Sequence, residues 1–200
     1  MKVGVFGGTF SPPHNGHFNA AVSFMREMKL DSLLIVPAAV PPNKEGLELL
    51  PARHRLAMCR IAFAKIPGCE VSSIEFDRGG TSYTYETLSA LSAPDRELYL
   101  MMGTDMFLTL DTWRRPDVIL RLATVVVASR SFDPATTDAI KRKREELLSV
   151  YKGNIRFLKN TVCDVSSTFL REKIAAGESV SEWLDDDVLK YIEKEKLYDV

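Results

Sequence analysis

His14 and His17 stand three residues apart in Gly7-Gly8-Thr9-Phe10-Ser11-Pro12-Pro13-His14-Asn15-Gly16-His17-Phe18, directly behind the apolar run VGVF. Two imidazoles at that spacing on the first turn of a helix can face one ligand. Each can donate a hydrogen bond to a phosphoryl oxygen, and charge developing on that oxygen during a reaction strengthens the bond. The glycines let backbone approach a ligand closely, Pro12 and Pro13 stiffen the loop, and Asn15 suits the N-cap of a helix opening near Gly16. Such a helix start presents N–H groups and a positive dipole end, which favours phosphate. Two other uses compete. A metal site needs a third ligand, and His54, the one other histidine, lies in a separate helical segment. A plain turn is the second, because Gly and Pro punctuate turns generally. The loop is neither the dinucleotide fingerprint G-x-G-x-x-G nor a P-loop, since no G-K-[ST] follows.

The elements that must hold this loop read as alternating strands and helices. Apolar runs at 3–6, 32–38, 71–76, 98–103, 124–129 and 154–159 have strand character, several of them apolar throughout, as in a parallel sheet covered on both faces. Helical periodicity fills 15–29, 52–65, 84–93, 105–110, 116–121 and 135–150. The alternation predicts a Rossmann-like, doubly wound α/β fold with right-handed crossovers. Two further helices, 166–177 and 185–198, follow. With no internal repeat or linker, we expect one domain over 1–200 whose residues 165–200 form a small helical part. Ligands of open α/β sheets bind beyond the carboxyl ends of the strands, which is where the opening loop falls.

Composition removes several classes. The 26 Lys and Arg residues nearly balance 27 Asp and Glu, so no global field recruits nucleic acid or an anionic membrane. Three cysteines, Cys59, Cys69 and Cys163, form no C-x-x-C pair and argue against a disulfide framework or structural zinc. No signal peptide or bilayer-spanning run is present, and the expectation is a cytoplasmic protein. A homo-oligomer is compatible with the sequence, which does not specify one.

A second constellation lies more than 150 residues away, at Val165-Ser166-Ser167-Thr168-Phe169-Leu170-Arg171. Ser166 or Ser167 can N-cap the next helix, leaving N–H and hydroxyl groups for phosphate oxygens, and Arg171 brings a planar fork one turn in. An ordinary capped helix with a solvent-facing arginine has the same pattern. Gly103 and Asp105 end the fourth strand, where a carboxylate can bind ribose hydroxyls or cap a helix. Trp113 suits either a core position or a stacking surface for a flat ring. Trp183 reads as packing, and Arg53 and Arg55 as partly structural. The run Lys141 to Glu146 reads as a solvated helix face.

The pattern T-x-x-P-x-H-x-G-H after a first strand resembles the signature of the nucleotidyltransferase superfamily, in the variant of the mononucleotide adenylyltransferases. VSSTFLR is similar to that family's I-S-S-T-x-x-R motif. Ser82-Tyr83-Thr84-Tyr85-Glu86-Thr87-Leu88 and the G-x-D…L-x-x-W pattern ending at Trp113 resemble the nicotinate mononucleotide adenylyltransferases in particular. The resemblance runs from the first strand to the terminal V-L-K-Y-I-x-x-x-x-L-Y pattern of residues 188–198. It implies adenylyl transfer from ATP to nicotinate mononucleotide, giving nicotinate adenine dinucleotide and pyrophosphate, with Mg²⁺ arriving on ATP and no protein metal cage. The implied catalytic set is His17, His14, Lys44 and Arg171. ATP would lie against Gly7, Gly8, Thr9, Phe10, Gly16, Gly103, Asp105, Arg130, Ser166, Ser167 and Thr168. The mononucleotide would lie against Ser82, Tyr83, Thr84 and Trp113. Two positions depart from the family: Ser11 replaces the usual Asp or Asn, and Asn43 replaces a His beside Lys44. Rival expectations are a nicotinamide mononucleotide or phosphopantetheine adenylyltransferase and, outside enzymes, a nucleotide-binding regulator on the same fold.

Overall fold

Six apolar runs become the parallel strands β1 (Lys2–Gly8), β2 (Ser32–Pro37), β3 (Cys69–Val71), β4 (Glu97–Gly103), β5 (Ala123–Ala128) and β6 (Asn154–Phe157), ordered β3-β2-β1-β4-β5-β6. The computed structural model describes residues 1–42, 49–129, 133–159 and 165–198. Alternate strand residues serve two cores, one on each face of the sheet. Phe6, Leu33, Ile35, Tyr99 and Met101 face one side; Val3, Val5, Val36, Leu100 and Met102 face the other. That double burial is why these runs carry so little polar alternation.

On the first face pack α1 (Asn15–Met28), α2 (Ala52–Phe63), α8 (Ser167–Ala175) and α9 (Asp186–Glu195), through residues such as Phe24, Met58, Leu170 and Ile192. The last two helices thus share the hydrophobic cluster of the first two. On the second face lie α4 (Thr84–Leu91), α5 (Thr104–Leu108), α6 (Pro116–Leu122) and α7 (Pro134–Val150), through Leu88, Phe107, Ile119 and Leu147. A 3₁₀ turn, Leu110–Thr112, joins α5 to α6.

Two local expectations need correction. The strand expected over 71–76 ends at Val71, and Ile74–Arg78 forms a short helix, α3. Serine chemistry explains the change: Ser72 Oγ accepts the Ile74 N–H at 3.3 Å, and Ser73 Oγ donates to Asp77 at 2.7 Å. These local bonds compete with the strand ladder. Helix α1 opens at Asn15, as the periodicity over 15–29 predicts, but His14 rather than Asn15 takes the extended N-cap position. The Asn15 amide instead donates to the Glu182 carbonyl at 3.2 Å, and its backbone N–H to the Trp183 carbonyl at 2.8 Å.

Candidate active site

The chain passes from β1 outward to β2 and β3, then returns to β4 on the other side of β1. This reversal is the topological switch point, where loops diverge and leave a crevice. A cleft of about 580 Å³ opens there, lined by the end of β1 (Phe6, Gly7), the start of α1 (His14, Gly16, His17) and the β4–α5 junction (Gly103, Thr104, Asp105). The first turns of α7 close its far wall with Ala135 and Thr136.

Glycine makes room in this cleft. Among the described residues, a Cβ on Gly103 would have no protein atom within 4 Å, and one on Gly7 would meet only the Val36 carbonyl oxygen at 4.0 Å. Gly8 is required for a different reason: a Cβ there would stand 2.9 Å from the Phe10 ring. Phe10 itself has φ 49°, the left-handed region that non-glycine residues rarely occupy. Packing holds it there. Its ring is edge-on to Phe6 at 5.2 Å, to Phe63 at 5.8 Å and to His17 at 5.0 Å. The side chain is therefore core, and only its backbone remains for a ligand.

The two imidazoles stack, with centroids 3.6 Å apart and planes 27° from parallel. His14 is 4% exposed. The His14 backbone N–H donates to His17 Nδ1 at 3.2 Å. An accepting Nδ1 leaves Nε2 as the nitrogen that carries the proton, so His17 meets the cleft as a hydrogen-bond donor. One capping contact thus sets both the ring's orientation and its tautomer.

The second constellation is tied to the first loop. Ser166 is the N-cap of α8 and accepts the Phe169 N–H at 3.1 Å. Ser167 Oγ donates to the Pro12 carbonyl at 2.9 Å, and Arg171 donates to the Ser11 carbonyl at 2.8 Å and to Thr168 Oγ1 at 3.1 Å. These bonds join residues about 155–160 positions apart and put the α8 N–H groups beside the histidine loop. Asp105 lies exposed on the cleft rim; α5 has Gly103 as N-cap with no side-chain cap bond, so the capping alternative for Asp105 is not taken.

The segments expected to hold the mononucleotide sit together but outside the cleft lining. The Arg114 guanidinium covers the Tyr83 ring at 4.8 Å, joining the start of α4 to the Trp113 turn. Trp113 is half-buried against the second core, and Thr84 opens α4. Ser82 is buried, and its Oγ accepts the N–H groups of Ala39 at 2.8 Å and Val40 at 3.2 Å, tying down the segment after β2. Asn43, Lys44 and Arg130 lie outside the described residues.

Two residues matter more than the sequence suggested. Arg55 is 2% exposed and donates to the carbonyls of Leu50, Thr9, Ala38 and Ala39, with its guanidinium over Phe76. It joins the histidine loop to the segment after β2, and burial lowers its pKa. The signal was present: Arg55 shares a helical face with Met58, Cys59 and Ala62, all buried. Lys143, in the run expected to be solvated, has a side chain only 12% exposed and reaches Asp111 at 2.7 Å. It falls on the same face as buried Ile140 and Leu147, and braces the turn that carries Trp113.

Among the described residues no group of three His, Cys, Asp or Glu side chains could hold a metal ion, and no helix is long and apolar enough to cross a membrane. The fold, with its histidine loop at the switch point, is that of a nucleotidyltransferase of the cytidylyltransferase-like class, whose family description matches residues 5–173. Within it, the chain belongs to the nicotinate-nucleotide adenylyltransferase family. It is 40% identical to a probable nicotinate-nucleotide adenylyltransferase of Roseiflexus sp. (strain RS-1), over 98% of this chain and 97% of the relative. The corresponding protein of Desulfatibacillum aliphaticivorans is 35% identical, over 99% and 100% of the two chains. Among solved structures, the nicotinic acid mononucleotide adenylyltransferase of Plasmodium falciparum complexed with NaAD shares the fold, with a TM-score of 0.79, 16% identity and coverage of 100% and 98%.

Proposed function

We propose that this enzyme transfers the adenylyl group of ATP to nicotinate mononucleotide, forming nicotinate adenine dinucleotide and pyrophosphate in NAD biosynthesis. The observation that carries the proposal is His17, oriented by His14 and protonated on Nε2, at the mouth of a switch-point cleft floored by Gly7 and Gly103. A phosphate oxygen of the mononucleotide attacks the α-phosphorus of ATP. The bond to the bridging α–β oxygen breaks, and pyrophosphate leaves. The attacking phosphate is already ionised, so no side chain needs to act as nucleophile or general base. Positioning and charge stabilisation supply the rate.

His17 donates to the α-phosphoryl oxygen on which negative charge grows, and His14 holds the ring that does so. Arg171, Lys44 and the Ser166-Ser167-Thr168 helix start grip the β and γ phosphates. Gly8, Thr9, Phe10 and Gly16 give backbone to the phosphates, Asp105 the ribose, with Arg130 near the nucleotide. Ser82, Tyr83, Thr84 and Trp113 place the nicotinate ring. Among the described residues Asp105 is the single carboxylate in the cleft lining, a donor set that suits Mg²⁺ brought by the ATP phosphates rather than a protein cage. Both substrates are soluble anions, consistent with a cytoplasmic enzyme.

Pyrophosphate release tests the proposal directly. Purified enzyme with MgATP should release it with nicotinate mononucleotide, and far more slowly with nicotinamide mononucleotide or phosphopantetheine. ATP binding without release for any acceptor would identify a nucleotide sensor instead.

A further inference from the structure

The underside of the histidine loop rests on the end of the chain. Helix α9 stops at Lys196, which has φ 49° and caps the helix through bonds to the Glu193 and Ile192 carbonyls. The reversal drives Leu197 into the first core, where it is 5% exposed, and turns Tyr198 under residues 9–12. Tyr198 has φ 65°, a second strained non-glycine conformation within two residues. Its hydroxyl lies 3.0 Å from Ser11 Oγ, and Ser11 is only 4% exposed. The Ser11 carbonyl accepts from Arg171, and the preceding Thr9 carbonyl from Arg55.

We propose that Tyr198 is a positioning residue for ATP, which acts through Ser11 to hold the phosphate loop and the Arg171 guanidinium in register. The phenol feels the charge of two cations, Arg171 and Arg55, that bond successive parts of the same loop. Burial pushes its pKa far above the ordinary tyrosine value, so the hydroxyl keeps its proton at any working pH. A neutral hydroxyl in that place satisfies Ser11 without drawing Arg171 away from the loop, as a carboxylate would. Ser11 thereby acquires a physical role: a small hydroxyl matches the tyrosine tip, and its peptide carbonyl remains available to Arg171. Strain at Lys196 and Tyr198 persists because Leu197 and the Ser11 contact over-determine the conformation.

This inference rests on the proposed ATP site, and its test reads ATP alone. Calorimetric titration of MgATP into Tyr198→Phe should show Kd raised about three- to tenfold, the scale of one hydrogen bond at a buried site. The KM for the mononucleotide should stay within about twofold, which a general loosening of the fold would not allow. Ser11→Ala should weaken ATP to a similar extent, and the Tyr198→Phe/Ser11→Ala pair should be no worse than either alone. Wild-type ATP affinity in Tyr198→Phe, or full additivity of the two changes, would overturn the inference and leave the proposed activity standing. A wild-type chain that binds no MgATP would overturn both.

Discussion

The two ends of the site are built differently. At the phosphate end, the loop from Gly7 to His17 is bonded from behind by Arg55, Ser167, Arg171 and Tyr198, which come from three separate parts of the chain. Its one strained residue, Phe10, is buried among aromatic rings. At the proposed mononucleotide end, Trp113 and Tyr83 lie half-buried on a short turn and a helix start, joined by the Arg114 stack and braced by the Lys143–Asp111 and Arg78–Glu86 ion pairs. Transition-state stabilisation needs donors fixed before charge develops, whereas ring recognition needs only a surface that a flat group can cover. Under the proposed function the difference amounts to a division of labour, in which the firmly bonded end would supply rate and the lightly held end selection.

The comparison breaks most readily at His17. His17→Ala should lower kcat by about 10²–10³ while the chain stays folded, the lost capping bond costing about 2–4 °C of unfolding temperature, and near-normal turnover would remove the phosphate end from the chemistry. Gly103→Val adds a side chain whose Cβ would meet no described protein atom within 4 Å. The fold should survive while KM for ATP rises about ten- to a hundredfold; unchanged KM would mean the cleft beside β4 holds no ATP. Trp113→Ala should raise KM for the mononucleotide about tenfold and leave that for ATP within about twofold. Equal effects on both would make Trp113 a structural residue.

The smallest effect belongs to the brace under Trp113. Lys143 donates a hydrogen bond to Asp111 and holds its carboxyl below the ordinary value. A depressed carboxyl stabilises the fold above its unfolded value, about pH 3.9, and loses that contribution as pH falls through its folded value. Lys143→Met should therefore lower the unfolding temperature by about 2–4 °C between pH 5 and 8, with the gap narrowing as the pH falls below about 3.9. A gap that did not change on acidification would assign the loss to packing instead of charge.

Much of the phosphate end was legible in the chain. Two histidines among glycines and prolines, and an N-cap serine ahead of Arg171, are local patterns with local chemistry, and the fold gathers them. The long apolar strands were equally plain because both faces of the sheet are buried. What stayed hidden depends on partners distant in sequence. Arg55 reads as only partly structural and Lys143 as a solvated charge until Thr9, Ala38 and Asp111 arrive beside them. Tyr198 is only the last residue of the terminal pattern until Ser11 meets its hydroxyl. The end of β3 was misjudged because two serines satisfy neighbouring groups locally.

The division of labour is tested most directly by one kinetic cycle, comparing kcat/KM for the mononucleotide in His17→Ala, Trp113→Ala and the double variant. Independent ends predict that the two losses multiply, with an interaction energy within about 0.5 kcal/mol of zero. A double variant no slower than His17→Ala alone would show that Trp113 acts through the histidine, and the two ends would then be one.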